Sequence, residues 1–189
     1  MKTFLSSLRI LIVLTVLTGL AYPLAVWAFG QVFFRELAEG SLVKQNGRIV
    51  GSALLAQKTS DPRYFQPRPS AGDYATIASG ASNQSWTSAK LRDAVAAHQT
   101  QFRQQNDLRD EVLPSDAMTT SGGGLDPDIS AETARLQTGR VIRERHLNAT
   151  QARALQELVA RHTVGGQFGP SRVNVLRLNL ALDTAFPPL

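Results

Sequence analysis

No cysteine occurs in this chain, histidine is confined to three positions, and methionine and tryptophan to two each. Without Cys there is no disulfide framework, no thiolate metal site and no thiol nucleophile. The absence does not choose between an oxidising and a reducing compartment. His98, His146 and His162 fall within or at the end of expected helices, as surface or capping residues do rather than a ligand set. The chain also lacks a Gly-x4-Gly-Lys-Ser/Thr phosphate loop, a His-Glu-x-x-His pair and a Gly-x-Ser-x-Gly elbow. Net charge is +5, but the bases lie scattered among acids, with no run and no interleaved aromatics. That pattern describes a solvated surface and argues against nucleic acid as a partner.

The longest gap in charge is the most informative. From Ile10 to Phe34 there is no Lys, Arg, Asp or Glu, and the bracketing Arg9 and Arg35 lie 26 residues apart. About 20 such residues, rising about 1.5 Å each, cross a hydrocarbon core. Residues 10–34 are therefore expected to form one transmembrane helix, with Pro23 distorting it near Gly19. Tyr22, Trp27, Phe29, Phe33 and Phe34 gather in its C-terminal half, as aromatics do at the headgroup level. The competing reading, a cleaved secretory signal ending at Val26-Trp27-Ala28, is disfavoured. Signal cores are shorter, about 7–15 residues, and a Trp flanked by further aromatics is a poor cleavage site. Residues 1–9 carry Lys2 and Arg9 and no acid, so this short end is expected inside and residues 35–189 outside.

Residues 35–189 are long enough for one domain with its own core. Leu37 to Gln57 reads as a hairpin turning at Asn46-Gly47, with Ser52–Gln57 continuing as an apolar strand. Thr59 to Gln84, rich in Pro, Gly and hydroxyls, reads as a long ordered loop pinned by Tyr64, Phe65 and Tyr74. Ser88–Arg109 has helical spacing, and Glu111–Pro127 is a second irregular stretch. Ser130 should cap a helix reaching about Arg145, and Asn148 with Gln151 should open another as a capping box, ended by Gly165-Gly166. Leu176, Leu178, Leu180 and Leu182 share one face and Arg177, Asn179 and Asp183 the other, so Val173–Asp183 reads as a half-buried strand. The expected fold is α+β: a single N-terminal transmembrane helix followed by one extracytoplasmic α+β domain.

Three constellations carry possible chemistry. Gly122-Gly123-Gly124 with Asp126 and Asp128 is either an anion or divalent-ion site or, as the missing phosphate-reaching Lys favours, a tight turn before the helix. Gln137 and Arg140 share a helix face at i, i+3, where they either meet a polar ligand or bond each other. Arg68, following Tyr64-Phe65, is either a protein-binding anchor or plain surface.

Tyr22-Pro23, Gly51-Ser52-Ala53-Leu54, Tyr64-Phe65 with Arg68-Pro69-Ser70-Ala71, Thr120-Ser121, Gly124-Leu125-Asp126-Pro127, Gln137 with Arg140-Val141, and Arg172-Val173-Asn174-Val175-Leu176 occur in this order. Together they resemble the C-subunit family of the Kdp potassium-transporting P-type ATPases over nearly the whole chain. Ala81, Gln84-Ser85-Trp86, Gly123 and Asp128 depart from the family pattern, which bears on two loops. The resemblance implies a single-pass subunit of the bacterial cytoplasmic (inner) membrane, N-terminus inside. Its implied partners are a channel-like A subunit, an ATP-hydrolysing B subunit and a small F subunit. It implies no catalysis by this chain, K+ as the transported ion, and ATP at the B subunit, whose ATP affinity a C subunit would raise as a catalytic chaperone. It further implies a nucleotide contact at Gln137, which conflicts with an external domain because ATP is cytoplasmic. A scaffold reading avoids that conflict. Thr15, Thr18 and Gly19 then let partner helices approach closely, and Tyr64, Phe65 and Arg68 form a docking surface. The rival readings are an anchored hydrolase using Ser121 with a histidine, and an unrelated anchored binding module.

Overall fold

The structure is a computed structural model describing residues 2–167 and 169–187. It divides into two units, residues 1–42 and 43–189.

The first unit is a helix running from Lys2 to Phe33, none of it buried. It comprises α1 (Lys2–Val16), a π turn (Leu17–Ala21) and α2 (Tyr22–Phe33), so it extends past Arg9 at its N-terminal end. The π turn lies where Pro23 perturbs the ladder. Pro23 has no N–H to offer the fourth carbonyl back, and the Tyr22 N–H reaches Leu17 O instead. A short turn, α3 (Arg35–Ala38), follows.

The hairpin β1 (Leu42–Gln45) and β2 (Arg48–Ser52) opens the second unit, with Leu42 the last residue of the first. Asn46 and Gly47 both have positive φ, 52° and 76°, as a two-residue turn requires. The expected strand over Ser52–Gln57 does not form. Ser52 Oγ accepts the Leu54 N–H at 3.1 Å and closes a turn, and Ala56 N–H leaves the hairpin for Leu125 O at 2.9 Å. A long irregular segment leads to α4 (Ala89–Asn106), ended by Asp107 in the left-handed region, and α5 (Ser115–Met118) follows.

The core is built on a three-stranded antiparallel sheet, β3 (Asp128–Ser130), β5 (Arg172–Asn174) and β4 (Thr163–Val164), with β5 central. Around it pack α6 (Ala131–Glu144), α7 (Ala149–His162) and α8 (Val175–Ala185). Both expected caps are present. Ser130 Oγ accepts from Thr133 N, and Asn148 and Gln151 bond reciprocally. Ile129, Val141, Leu155, Val173, Leu178 and Leu182 are fully or almost fully buried.

The expected strand over Val173–Asp183 is corrected: only Arg172–Asn174 is extended, and Val175–Ala185 is helical. Leucines at every second position also fall four apart. The buried set Val175, Leu178, Asn179 and Leu182 follows i, i+3, i+4, i+7, with Asn174 capping through Arg177 N.

Candidate functional site

The segment Pro62–Gln66 has no strand to pair with, yet every carbonyl along it is held by a distant side chain. Arg140 of α6 donates to Pro62 O and, at 2.9 Å, to Tyr64 O. Arg145, just after α6, donates to Arg63 O at 2.9 Å. Asn179 of α8 clasps Phe65 by accepting its N–H and donating to its carbonyl, both at 2.9 Å. Gln137 of α6 does the same for Gln66, at 2.7 Å and 3.0 Å. Two carboxamides thus substitute for the neighbouring strands of a sheet. Phe65, 0% exposed, drives its ring into the core between them.

Gln137 and Arg140, expected on one face, do bond each other, Arg140 Nη2 to Gln137 Oε1 at 2.8 Å. Both are almost wholly buried, and Arg140 also donates to Asn106 Oδ1 at 3.0 Å. Burial pushes the Arg140 guanidinium down to about 10, which keeps it charged at neutral pH. Arg145 completes the clasp by pairing with Asp183 at 2.7 Å, donating to Phe186 O at 2.6 Å and stacking over the Tyr64 ring, 4.7 Å from its centroid. Burial and the hydrogen bond to Asp183 raise the Tyr64 phenol, with Arg145 opposing.

Of the three residues expected as a docking surface, Phe65 offers none, because its ring is in the core. Tyr64 is half-buried and bonded to Asp183, and Arg68 pairs with Asp126 at 2.9 Å. The glycine stretch forms a packed turn. Gly124 has φ +71°, and a Cβ there would come within 3.0 Å of Gly80 O and 3.2 Å of Ser70 Oγ. Its two acids point to different arginines, Asp126 to Arg68 and Asp128 to Arg172, rather than to a common ion. Ser121 Oγ lies 3.5 Å from Asp126 N, while His98 and His162 turn to Met118 O and Leu158 O, so these residues make no Ser–His pair. Next to the clasp, Pro67, Pro69, Phe102 and Gln105 line an open cleft of about 430 Å³, with Lys58 paired to Asp73 at 2.7 Å among its lining residues.

In the helical unit, Thr18 Oγ1 bonds back to Leu14 O at 2.7 Å, which satisfies the hydroxyl without a partner helix. Apart from its own helix backbone and chain neighbours, nothing lies within 4 Å of where a Cβ at Gly19 would sit, and Thr15 is exposed. Arg145 and Asn179 were not legible as site residues. The one signal for Asn179 is an amide at i+4 from Val175 within an apolar run.

An apolar N-terminal helix long enough to cross a membrane, followed by an α+β domain held together by buried amide and guanidinium groups, defines the class: single-helix proteins with one α+β domain. Residues 4–184 match the family model described as "K+-transporting ATPase, c chain". The chain is 45% identical to the protein named potassium-transporting ATPase KdpC subunit of Mycobacterium tuberculosis (strain H37Rv), over 96% of this chain and 98% of the relative. It is equally similar to the same-named proteins of Myxococcus xanthus, covering 100% and 90%, and Rhodospirillum rubrum, covering 99% and 98%. The chain belongs to the KdpC family.

Proposed function

We propose that this chain is a non-catalytic accessory subunit of an ATP-driven potassium uptake complex, anchored once in the bacterial cytoplasmic membrane. Its N-terminus lies inside and its α+β domain outside. It holds the channel-like A subunit, the ATP-hydrolysing B subunit and the small F subunit together. The observation that carries this reading is the Lys2–Phe33 helix, long and apolar enough to cross a membrane and without a buried residue. Such a surface needs lipid and partner helices, and Thr15, Thr18 and Gly19 offer them small side chains. Affinity purification of the tagged chain from native membranes is expected to bring the ATPase with it, and the chain alone to be inert. A protease added to sealed, right-side-out vesicles is expected to cut the large domain. Full protection would overturn the external placement.

On this reading Gln137 serves the fold, since both ends of its amide are spent on Gln66. Any influence on ATP affinity then passes through subunit contacts. Gln137→Ala is expected to destabilise the domain by about 1–3 kcal/mol, as it leaves the half-buried Gln66 N–H and carbonyl and the buried Arg140 without this partner. The KM for ATP of the assembled complex should stay within about twofold, since the amide touches no nucleotide. A many-fold rise in KM at unchanged stability would instead support a nucleotide contact.

A further inference from the structure

Inside a bilayer a backbone carbonyl has no water to turn to, so it needs a donor from its own segment or from a neighbour. In the Lys2–Phe33 helix two carbonyls lose theirs. The Tyr22 N–H, the ordinary i+4 donor for Thr18 O, bonds Leu17 O instead. The next donor along the chain would be residue 23, and Pro23 has no N–H. Pro23 is also the i+4 position for Gly19 O, which loses its helical donor by the same cause.

The helix cannot repair this with its own side chains. A Ser or Thr hydroxyl three or four residues on can bond back to a helix carbonyl, as Thr18 Oγ1 does to Leu14 O at 2.7 Å. The positions that would serve Thr18 and Gly19 in this way hold Ala21, Tyr22 and Pro23, none with a hydroxyl on Cβ. Thr18 lies nine residues from Arg9, about 13 Å of helix, and further from Arg35, so these oxygens sit well below the headgroups. The approach to them is open. Gly19 has no side chain, Ala21 has a single methyl, and nothing beyond the helix's own backbone and chain neighbours comes near a Cβ at Gly19.

We propose that the Thr18 and Gly19 carbonyls accept hydrogen bonds from a transmembrane helix of the channel-like A subunit, which brings a neutral side-chain O–H or N–H to them. A purely aliphatic helix would cover this face and leave both oxygens unpaired. Polar side chains at bilayer depth are costly and mark ion pathways, so among the partners the channel-like one is where such a donor belongs. The proposal rests on the accessory-subunit reading above and adds to it the bond by which the span is recognised.

The test uses the full chain in the purified complex in nanodiscs, with loss of this subunit followed by exchange against excess tagged wild-type chain. Pro23→Ala returns an N–H to the ladder and lets the helix satisfy both oxygens itself. It is expected to keep or raise the helix content and yet to leave the complex about three- to tenfold faster, as for one interhelical hydrogen bond in a membrane. Tyr22→Thr and Tyr22→Val have the same shape, but only the first places a hydroxyl within back-bonding reach of Thr18 O. It should be lost about threefold faster than its valine counterpart. A photo-crosslinking side chain at Ala25, one turn beyond Tyr22, should label the A subunit. Unchanged loss of Pro23→Ala would mean that water reaches these oxygens and would overturn the proposal. Equal loss of the two Tyr22 variants would show that helix shape rather than a bond is recognised, and labelling of the B or F subunit alone would show another neighbour. Either result would overturn the proposal while leaving the accessory-subunit reading intact. Failure of the wild-type chain to copurify with any ATPase would overturn both.

Discussion

Arg140→Ala is expected to cost about 3–5 kcal/mol, a large share of the roughly 5–15 available to a typical domain. The guanidinium is 2% exposed and donates to Pro62 O, Tyr64 O, Asn106 Oδ1 and Gln137 Oε1. Alanine would leave the buried Asn106 and Gln137 oxygens and the less buried Pro62 and Tyr64 carbonyls without this donor, at about 1–3 kcal/mol for each buried one that finds no new partner. Lysine should recover only part of the loss, because one ammonium cannot reproduce the planar fork that reaches both α4 and the Pro62–Tyr64 backbone. Denaturant unfolding of the full chain in detergent, followed by circular dichroism, reads the effect. A loss below about 1 kcal/mol would mean that water takes over these acceptors, and that the clasp contributes little.

Phe65→Ala is the second large effect, about 3–5 kcal/mol for emptying a fully buried aromatic site. Phe65→Leu, which keeps most of the apolar volume, should cost less than about 1.5 kcal/mol provided the site repacks. This pair also separates a core residue from a docking residue. At a temperature where Phe65→Ala is still folded, its retention in the purified complex should match wild type, because the ring lies in the core and not at the surface. Weakened retention with unchanged melting would return Phe65 to the docking surface.

Both effects share a cause. Residues 62–66 join the cleft-lining loop to the core without a strand of their own, so the domain holds that loop through side chains of α6 and α8 and Arg145 between α6 and α7. A loop fixed in this way has little conformational freedom left to lose.

Local physics alone settled several features of this protein. The uncharged run from Ile10 to Phe34 dictates a long apolar helix, and Asn46-Gly47 dictates a turn with two positive φ values. Ser130 and the Asn148–Gln151 pair dictate where two helices begin. Each needs only residues within a turn of one another, so each is legible in the chain. Gln137 with Arg140 was legible as a pair for the same reason, being three residues apart on one helix.

Tertiary structure decided the rest. The leucines after Val173 satisfy a period of two and a spacing of four alike, and packing of Leu178 and Leu182 into the core selects the helix. Phe65 belongs to the core rather than the surface because Asn179, 114 residues further on, takes both of its backbone groups. Gln66 likewise depends on Gln137, 71 residues away. A backbone group finds its partner by distance in space, and over such separations only the folded chain specifies which side chain arrives.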